Sequence, residues 1–378
     1  MGIMKLLVYV PFLTPRIKYI FYFIFHDILK TDIGFSSNLE EFKNSTLPKI
    51  SYSHLPVGEE LHFRNADLLL SHEIVRTTFK TTAFGDTIVP FAVSGGALPF
   101  DVFAASFYFV SRYEEYLNFI PDEEGHYPAE LSLQSRLKLL QIPVVDAWAL
   151  ILKNLLLKKH PKLFFGKKKF EFIPLTCMNS GNANSFGLVQ SARSILKKTK
   201  TLFSKTQQPN NELTEIQKFI QELHDKYQVS GLFFNPSTEE IHGEIEGQVD
   251  LPNSYLQLIK ASINNDFRMG YTNAAGFRAG TCSSFFWYDL QLEKSTQLLV
   301  HPIAINDFSL NADKQLRADF VFEKWKNMVD TVKLLNGQFY IVWHKETLLN
   351  TGKGKSARKL YDKMLSNFLS LPNDIRPE

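Results

Sequence analysis

Cysteine is scarce in this chain: Cys177 and Cys282 are the only two in 378 residues. Two thiols cannot build a disulfide framework, and their separation fits neither a zinc ribbon nor a redox dithiol. Both are expected to be free, in a reducing compartment. Long apolar runs are lacking too, with no uninterrupted stretch of about 18 residues, so no membrane-spanning helix is predicted. The opening "MGIMKLLVYVPFLTPRIKYIFYFIFHDIL" starts like a leader, but Pro11, Pro15, Arg16 and Lys18 break it and no small-residue cleavage site follows. A cytoplasmic protein is the expectation.

Acidic residues are nearly missing from one region. Between Lys153 and Lys205, twelve Lys or Arg stand against Glu171 alone, a local +11 in a chain of net charge +3. Such a strip attracts polyanions or a membrane surface; read as a solvated helix face and linker, it needs no partner. An anionic glycan or a peripheral membrane contact through Lys153–Lys205 is kept as an expectation, and nucleic acid is not expected.

What the chain does have is apolar material, 44% hydrophobic with 33 Phe, which implies an aromatic-rich core rather than disorder. Its length implies two domains, or one large domain with an elaborated front half. "KLLVYVP" reads as a strand and "RIKYIFYFIFHDIL" as a helix. "FDVFAASFYFVSRYEEYL" (Phe100 to Leu117) reads as a longer helix, and "PVVDAWALILKNLLLKK" as another with Pro143 in its first turn. The lysine cluster and apolar run of "GKKKFEFIPL" mark a change of domain, giving residues 1–165 and 166–378.

Beyond that boundary a basic amphipathic helix is predicted at about 187–203, then a polar linker and the helix "ELTEIQKFIQELHDKY". Strands are predicted at "QVSGLFF", "GFRAG", "QLLVHPIAI" and "QFYIVWH", with helices at "SYLQLIKASINN" and "FVFEKWKNMVDTVKLL". Strands alternating with helices predict a parallel α/β architecture whose active end lies at the strand C-termini.

Residues that could carry chemistry cluster at those ends. Arg278, among Gly270, Gly276 and Gly280, could pair with an anion or anchor a loop through backbone carbonyls. "HPIAINDFSL" offers His301, Asn306 and Asp307; the aspartate could orient a base or form a turn. "IVWHKE" ends the last strand with His344, an acid or base or a structural residue. Cys177, in "FIPLTCMNSGN", is a nucleophile only with a lowered pKa and an imidazole in reach; otherwise it is an inert core thiol. The tail "NTGKGKSARK" approaches a phosphate-binding loop, but Leu349 stands where its first glycine belongs, and a flexible cationic loop is expected.

In order along nearly the whole chain, "PRIKYIFYFIFHDIL", "PFDVFAASFYFVSRYEEYL", "GHYPAELS", "PVVDAWALIL", "FIPLTCMN", "GLFFNPS", "GYTNAAGFRAGTCSSFFWYDL" and "IVWHK" resemble polysaccharide deacetylases of the NodB-homology type, specifically a bacterial subset with a long N-terminal extension. The resemblance implies a distorted parallel (β/α) barrel in residues 166–378, preceded by a smaller mixed α/β extension domain. Such enzymes hold a divalent metal through one Asp and two His, with a preceding Asp as base and a late His that protonates the departing amine.

Carried over position by position, the acidic first motif falls on Cys177 and Asn179, and the first metal histidine falls on Asn235. Arg278, Asp307 and His344 match accessory positions. A thiol and two amides are a poor set for a hydrolytic metal site. The expectation is therefore a degenerate, metal-free and inactive relative with no cofactor, with Asn179, Asn235, Tyr271 and Trp343 as positions that could face a glycan. Two alternatives stand beside it: an active zinc N-deacetylase with a displaced ligand set of Glu240, His242, Asp307 and His344, and a surface-polysaccharide assembly protein that works through the basic strip.

Overall fold

The computed structural model describes residues 6–76, 78–123, 125–177, 211–229, 231–234, 249–312, 318–349 and 353–369. They fall into two compact units, Met1–Lys169 with Phe277–Gln297, and Phe170–Gly276 with Leu298–Glu378. The architecture is mixed α/β with parallel sheets.

In the first unit β1 (Leu6–Tyr9), β2 (Ile33–Ser36), β3 (Lys49–Ser53) and β4 (Leu61–Arg64) form a parallel sheet in the order β2-β1-β3-β4. β1 is buried along its whole length, as a strand covered on both faces must be. A small antiparallel hairpin, β5 (Thr81–Phe84) and β6 (Thr87–Pro90), turns through Gly85 at φ 57°.

After β1, Thr14 caps helix Pro15–Phe21 by accepting the Ile17 N–H, with proline in the first turn. The single helix predicted here widens into a π-helical segment, Tyr22–Ile28. Helix Val102–Val110, capped by Asp101, is shorter than its apolar pattern predicts. Arg112 takes a left-handed conformation and a 3-10 turn, Tyr113–Tyr116, follows, because Arg112 and Glu115 belong to a buried ion-pair network described below. Helix Val144–Lys159 runs as predicted, with Pro143 at its cap.

The second unit follows with β7 (Glu171–Cys177), β8 (Leu232–Phe234) and β9 (Asn265–Met269). β10 (Phe285–Asp289) belongs to the first unit, β11 (Lys294–Asn306) begins there and runs on into the second, and β12 (Gln338–His344) closes the set. The sheet is curled, in the order β10-β11-β12-β7-β8, with β9 also on β11; the β9/β11, β11/β12, β12/β7 and β7/β8 pairs are parallel. Helices Asn211–Tyr227, Asn253–Lys260 and Ala318–Leu334 provide the crossovers, and Lys353–Phe368 ends the unit. The first strand of this unit pairs with its last, Cys177 opposite His344. Strand order is thus cyclic except at the step from β8 to β9.

Two sequence expectations are corrected. "GFRAG" is a turn, with Gly280 at φ 68°, and the strand lies earlier, in "NDFRM". Asp266 and Arg268 make that strand look polar, but they are buried partners of each other. The flexible cationic loop expected at "TGKGKSARK" is helix from Lys353 onward, and residues 351–352 lie outside the described residues. The predicted helix at 187–203 and the linker after it lie outside the described residues. Among the described residues no helix is long and apolar enough to cross a membrane.

Candidate functional site

Side chains alternate along a strand, so Tyr340, Val342 and His344 of β12 share one face, and Leu175 and Cys177 of β7 share theirs. Leu175, Cys177, Tyr340 and Val342 pack with Phe267 of β9 and Ile303 of β11 in one buried cluster. That cluster is the floor beneath the carboxyl ends of the strands. Just above it, β11 delivers Asp307 beside His344.

The two residues are tightly joined. Asp307 Oδ1 lies 2.6 Å from His344 Nδ1, and Asp307 Oδ2 accepts the His344 backbone N–H at 2.7 Å. Asp307 in turn donates its own N–H to the Val342 carbonyl at 3.0 Å. The Phe308 ring stacks on the imidazole at 4.1 Å, and Asn306 steadies the turn by accepting the Phe308 N–H. Both members of the pair are buried. With Nδ1 committed to a carboxylate, Nε2 is the ring nitrogen not engaged by Asp307.

Cys177 sits across the register from His344. Burial pushes its thiol well above the ordinary range, and the negative charges of Asp307 and Glu346 push it further. A reactive cysteine needs the opposite environment, so the thiol is inert packing. The nucleophile reading of Cys177 is thereby set aside.

The fit to a metal can be judged from these donors. Both carboxylate oxygens of Asp307 are taken by His344, and Cys177 is held as a thiol. Among the described residues no group of three His, Cys, Asp or Glu side chains converges to hold an ion. The described donors by themselves do not complete a cation site. Asn179, Asn235, Glu240 and His242 lie outside the described residues.

Arg278 lies in the first unit, where Glu115 grips it by two hydrogen bonds, Nε to Oε1 at 2.8 Å and Nη2 to Oε2 at 2.7 Å. Arg112 binds the same carboxylate and donates to the Arg278 carbonyl oxygen. Burial would raise the Glu115 carboxyl, but the two guanidiniums outweigh it and hold the group below its usual range. The alternative in which Arg278 anchors its loop fits this arrangement, although a carboxylate holds the side chain. "SRYEEY" was the available signal, since paired charges inside an apolar helix ask for buried partners.

Trp343 faces away from His344 and is fully buried against Trp325 and Tyr361. Tyr271 is buried just past β9. His301 lies lower in the second unit, 3.1 Å from both Tyr340 Oη and Asn265 Oδ1 and stacked on Phe267. Of the basic strip, Lys168 is occupied within the first unit, donating to Ser283 Oγ at 2.8 Å beside Asp146. Lys159 reaches the Glu59 carbonyl.

Residues 6–161 match a family of unknown function, DUF7033, and lie within the first unit. No curated protein and no solved structure matches the chain.

Proposed function

We propose that the second unit is a deacetylase-like half-barrel of the NodB-homology type that has lost its metal chemistry and retains carbohydrate binding at the carboxyl ends of its strands. Support comes first from topology. Successive parallel strands are neighbours and the first pairs with the last, the order of a closed (β/α) barrel opened at one step.

The observation that carries the reading is at the end of β7. Where a deacetylase of this type would present a catalytic carboxylate, this chain places the buried thiol of Cys177, beside an intact Asp307–His344 pair. The pair can hold and move a proton at His344 Nε2. With a thiol in place of the base carboxylate, water has no activating base at the end of β7, and on this reading the mouth binds a sugar rather than cleaving its acetamide. The displaced set of Glu240, His242, Asp307 and His344 stays the alternative, since the Asp307 contact engages only Nδ1 of the His344 ring and a metal-ligating histidine commonly gives its other ring nitrogen to a carboxylate. The metal titration decides between the two.

The test is direct. Purified protein is titrated with Zn²⁺ and Co²⁺ and incubated with N-acetylated sugar oligomers, and both acetate release and oligomer binding are followed. The expected result is saturable binding of the oligomer with neither acetate release nor one-equivalent tight metal binding. Acetate released in step with one bound metal would end the reading, as would absence of any oligomer binding.

A further inference from the structure

A groove lined wholly by residues of the first unit has no part in the function proposed above. Its volume is about 650 Å³, within the range of roughly 300–1,000 Å³ typical of small-molecule sites. One wall is the helical segment after β1 and the other is the turn joining β10 and β11. Tyr19, Phe23 and Tyr288 form a buried aromatic base, while Leu13, Tyr22 and Phe286 are 45%, 39% and 45% exposed.

The helical wall is itself unusual. Tyr22, Phe23 and Asp27 come from the π-helical segment Tyr22–Ile28, which is closed by the Leu29 N–H reaching back to the Ile24 carbonyl. Widened turns of this kind are rare and occur frequently at functional sites. Here the widening belongs to the wall of a cavity.

Of the charged groups at the rim, the two carboxylates are engaged and the two lysines are not, among the described residues. Glu293 is held by Arg16 through both carboxylate oxygens and by the Tyr288 hydroxyl, and Asp27 is bonded to His26. Lys18 and Lys294, one on each wall, line the same groove, and no side-chain hydrogen bond or ion pair ties either of them among the described residues. The combination is an apolar aromatic trough with two lysines that no ion pair among the described residues engages, beside carboxylates that already have partners. A dinucleotide is a poor match, because the loop after β1, Val10 to Thr14, has no glycine to let backbone approach a pyrophosphate.

We propose that this groove binds a free single-chain amphiphile, with its hydrocarbon chain on Tyr22, Phe23 and Phe286 and its anionic head at Lys18 and Lys294. The probe is dodecanoate, kept monomeric and titrated into the full chain by calorimetry, with acetate, dodecanol and anionic phospholipid vesicles as comparators. One-to-one saturable binding of dodecanoate is expected, with none of acetate. The double substitution Lys18→Gln/Lys294→Gln is expected to weaken it roughly tenfold or more, and Phe286→Ser by a similar factor. Lys18, Lys294 and Phe286 have exposed side chains, and a Tyr22→Ser variant gives a second reading of the apolar contact. The proposal is overturned if dodecanoate binds the variants as tightly as the parent, if dodecanol binds as well as dodecanoate, or if vesicles capture the protein while free dodecanoate does not bind.

Discussion

Asp307 gives both of its carboxylate oxygens to His344, one to the imidazole at 2.6 Å and one to the backbone N–H at 2.7 Å. Fixing side chain and main chain together pins the end of β12 to the end of β11. The pair therefore has a structural weight that can be measured apart from any chemistry.

Asp307→Asn keeps one acceptor but turns an N–H toward a donor, and is expected to cost about 1–3 kcal/mol. His344→Ala leaves a buried carboxylate facing empty space and is expected to cost more, about 3–5 kcal/mol. Urea unfolding of both variants checks the order. Equal losses under about 0.5 kcal/mol would show that the two side chains do not depend on each other.

The thiols provide a second check. Cys177 and Cys282 are both buried, and burial raises both above the ordinary thiol range. A disulfide-exchange reagent at pH 8 is expected to label neither in the native protein and both in denaturant. Rapid native labelling at Cys177 would restore the nucleophile reading that the structure sets aside.

Much of the second unit was legible from the sequence because its strands are continuous apolar runs. "QFYIVWH" and "QLLVHPIAI" are nearly all buried, and no other element of a parallel sheet reads that way. β9 was not legible: Asp266 and Arg268 pair with each other in the interior, and a sequence shows polarity but not pairing. Arg278 was legible as a residue in need of an anion. That the anion is Glu115, 163 positions away in the chain, is a tertiary fact that no local pattern carries. The Asp307–His344 pair could be named one residue at a time, whereas its geometry depends on the β11/β12 register.

From that geometry a third prediction concerns Arg278. Glu115 is almost fully buried between two guanidiniums, so removing one partner strands a charge. Arg278→Ala is expected to destabilise the protein by about 3–5 kcal/mol. Glu115→Gln is expected to be similarly damaging, and Arg278→Lys to recover only part of the loss, because an ammonium cannot reproduce the two-pronged contact. Melting temperatures of the three variants decide it. A stable Arg278→Ala would mean that this network contributes little to the fold.

Three buried groups contribute to the pH dependence of stability with opposing signs. His224 and His301 are held down to about 4, chiefly by burial. The unfolded chain takes up their protons near pH 6.5 and the folded chain does not, so their stabilising contribution is present above that pH and is lost as pH falls toward 4. At pH 5 the loss is about 2 kcal/mol for each. Asp101 works the other way. Burial lifts its carboxyl to about 6, so the folded state holds a proton that the unfolded chain has released, and its contribution of about 1 kcal/mol present at pH 5 is lost as pH rises through 6. The histidines outweigh it, so the urea midpoint is expected to fall between pH 7.5 and pH 5. In the double variant His224→Gln/His301→Gln the fall toward pH 5 is expected to be much smaller, because Asp101 then opposes only weaker contributions such as those of His62 and His160. A double variant that loses stability toward pH 5 as steeply as the parent would place the titrating groups elsewhere in the chain.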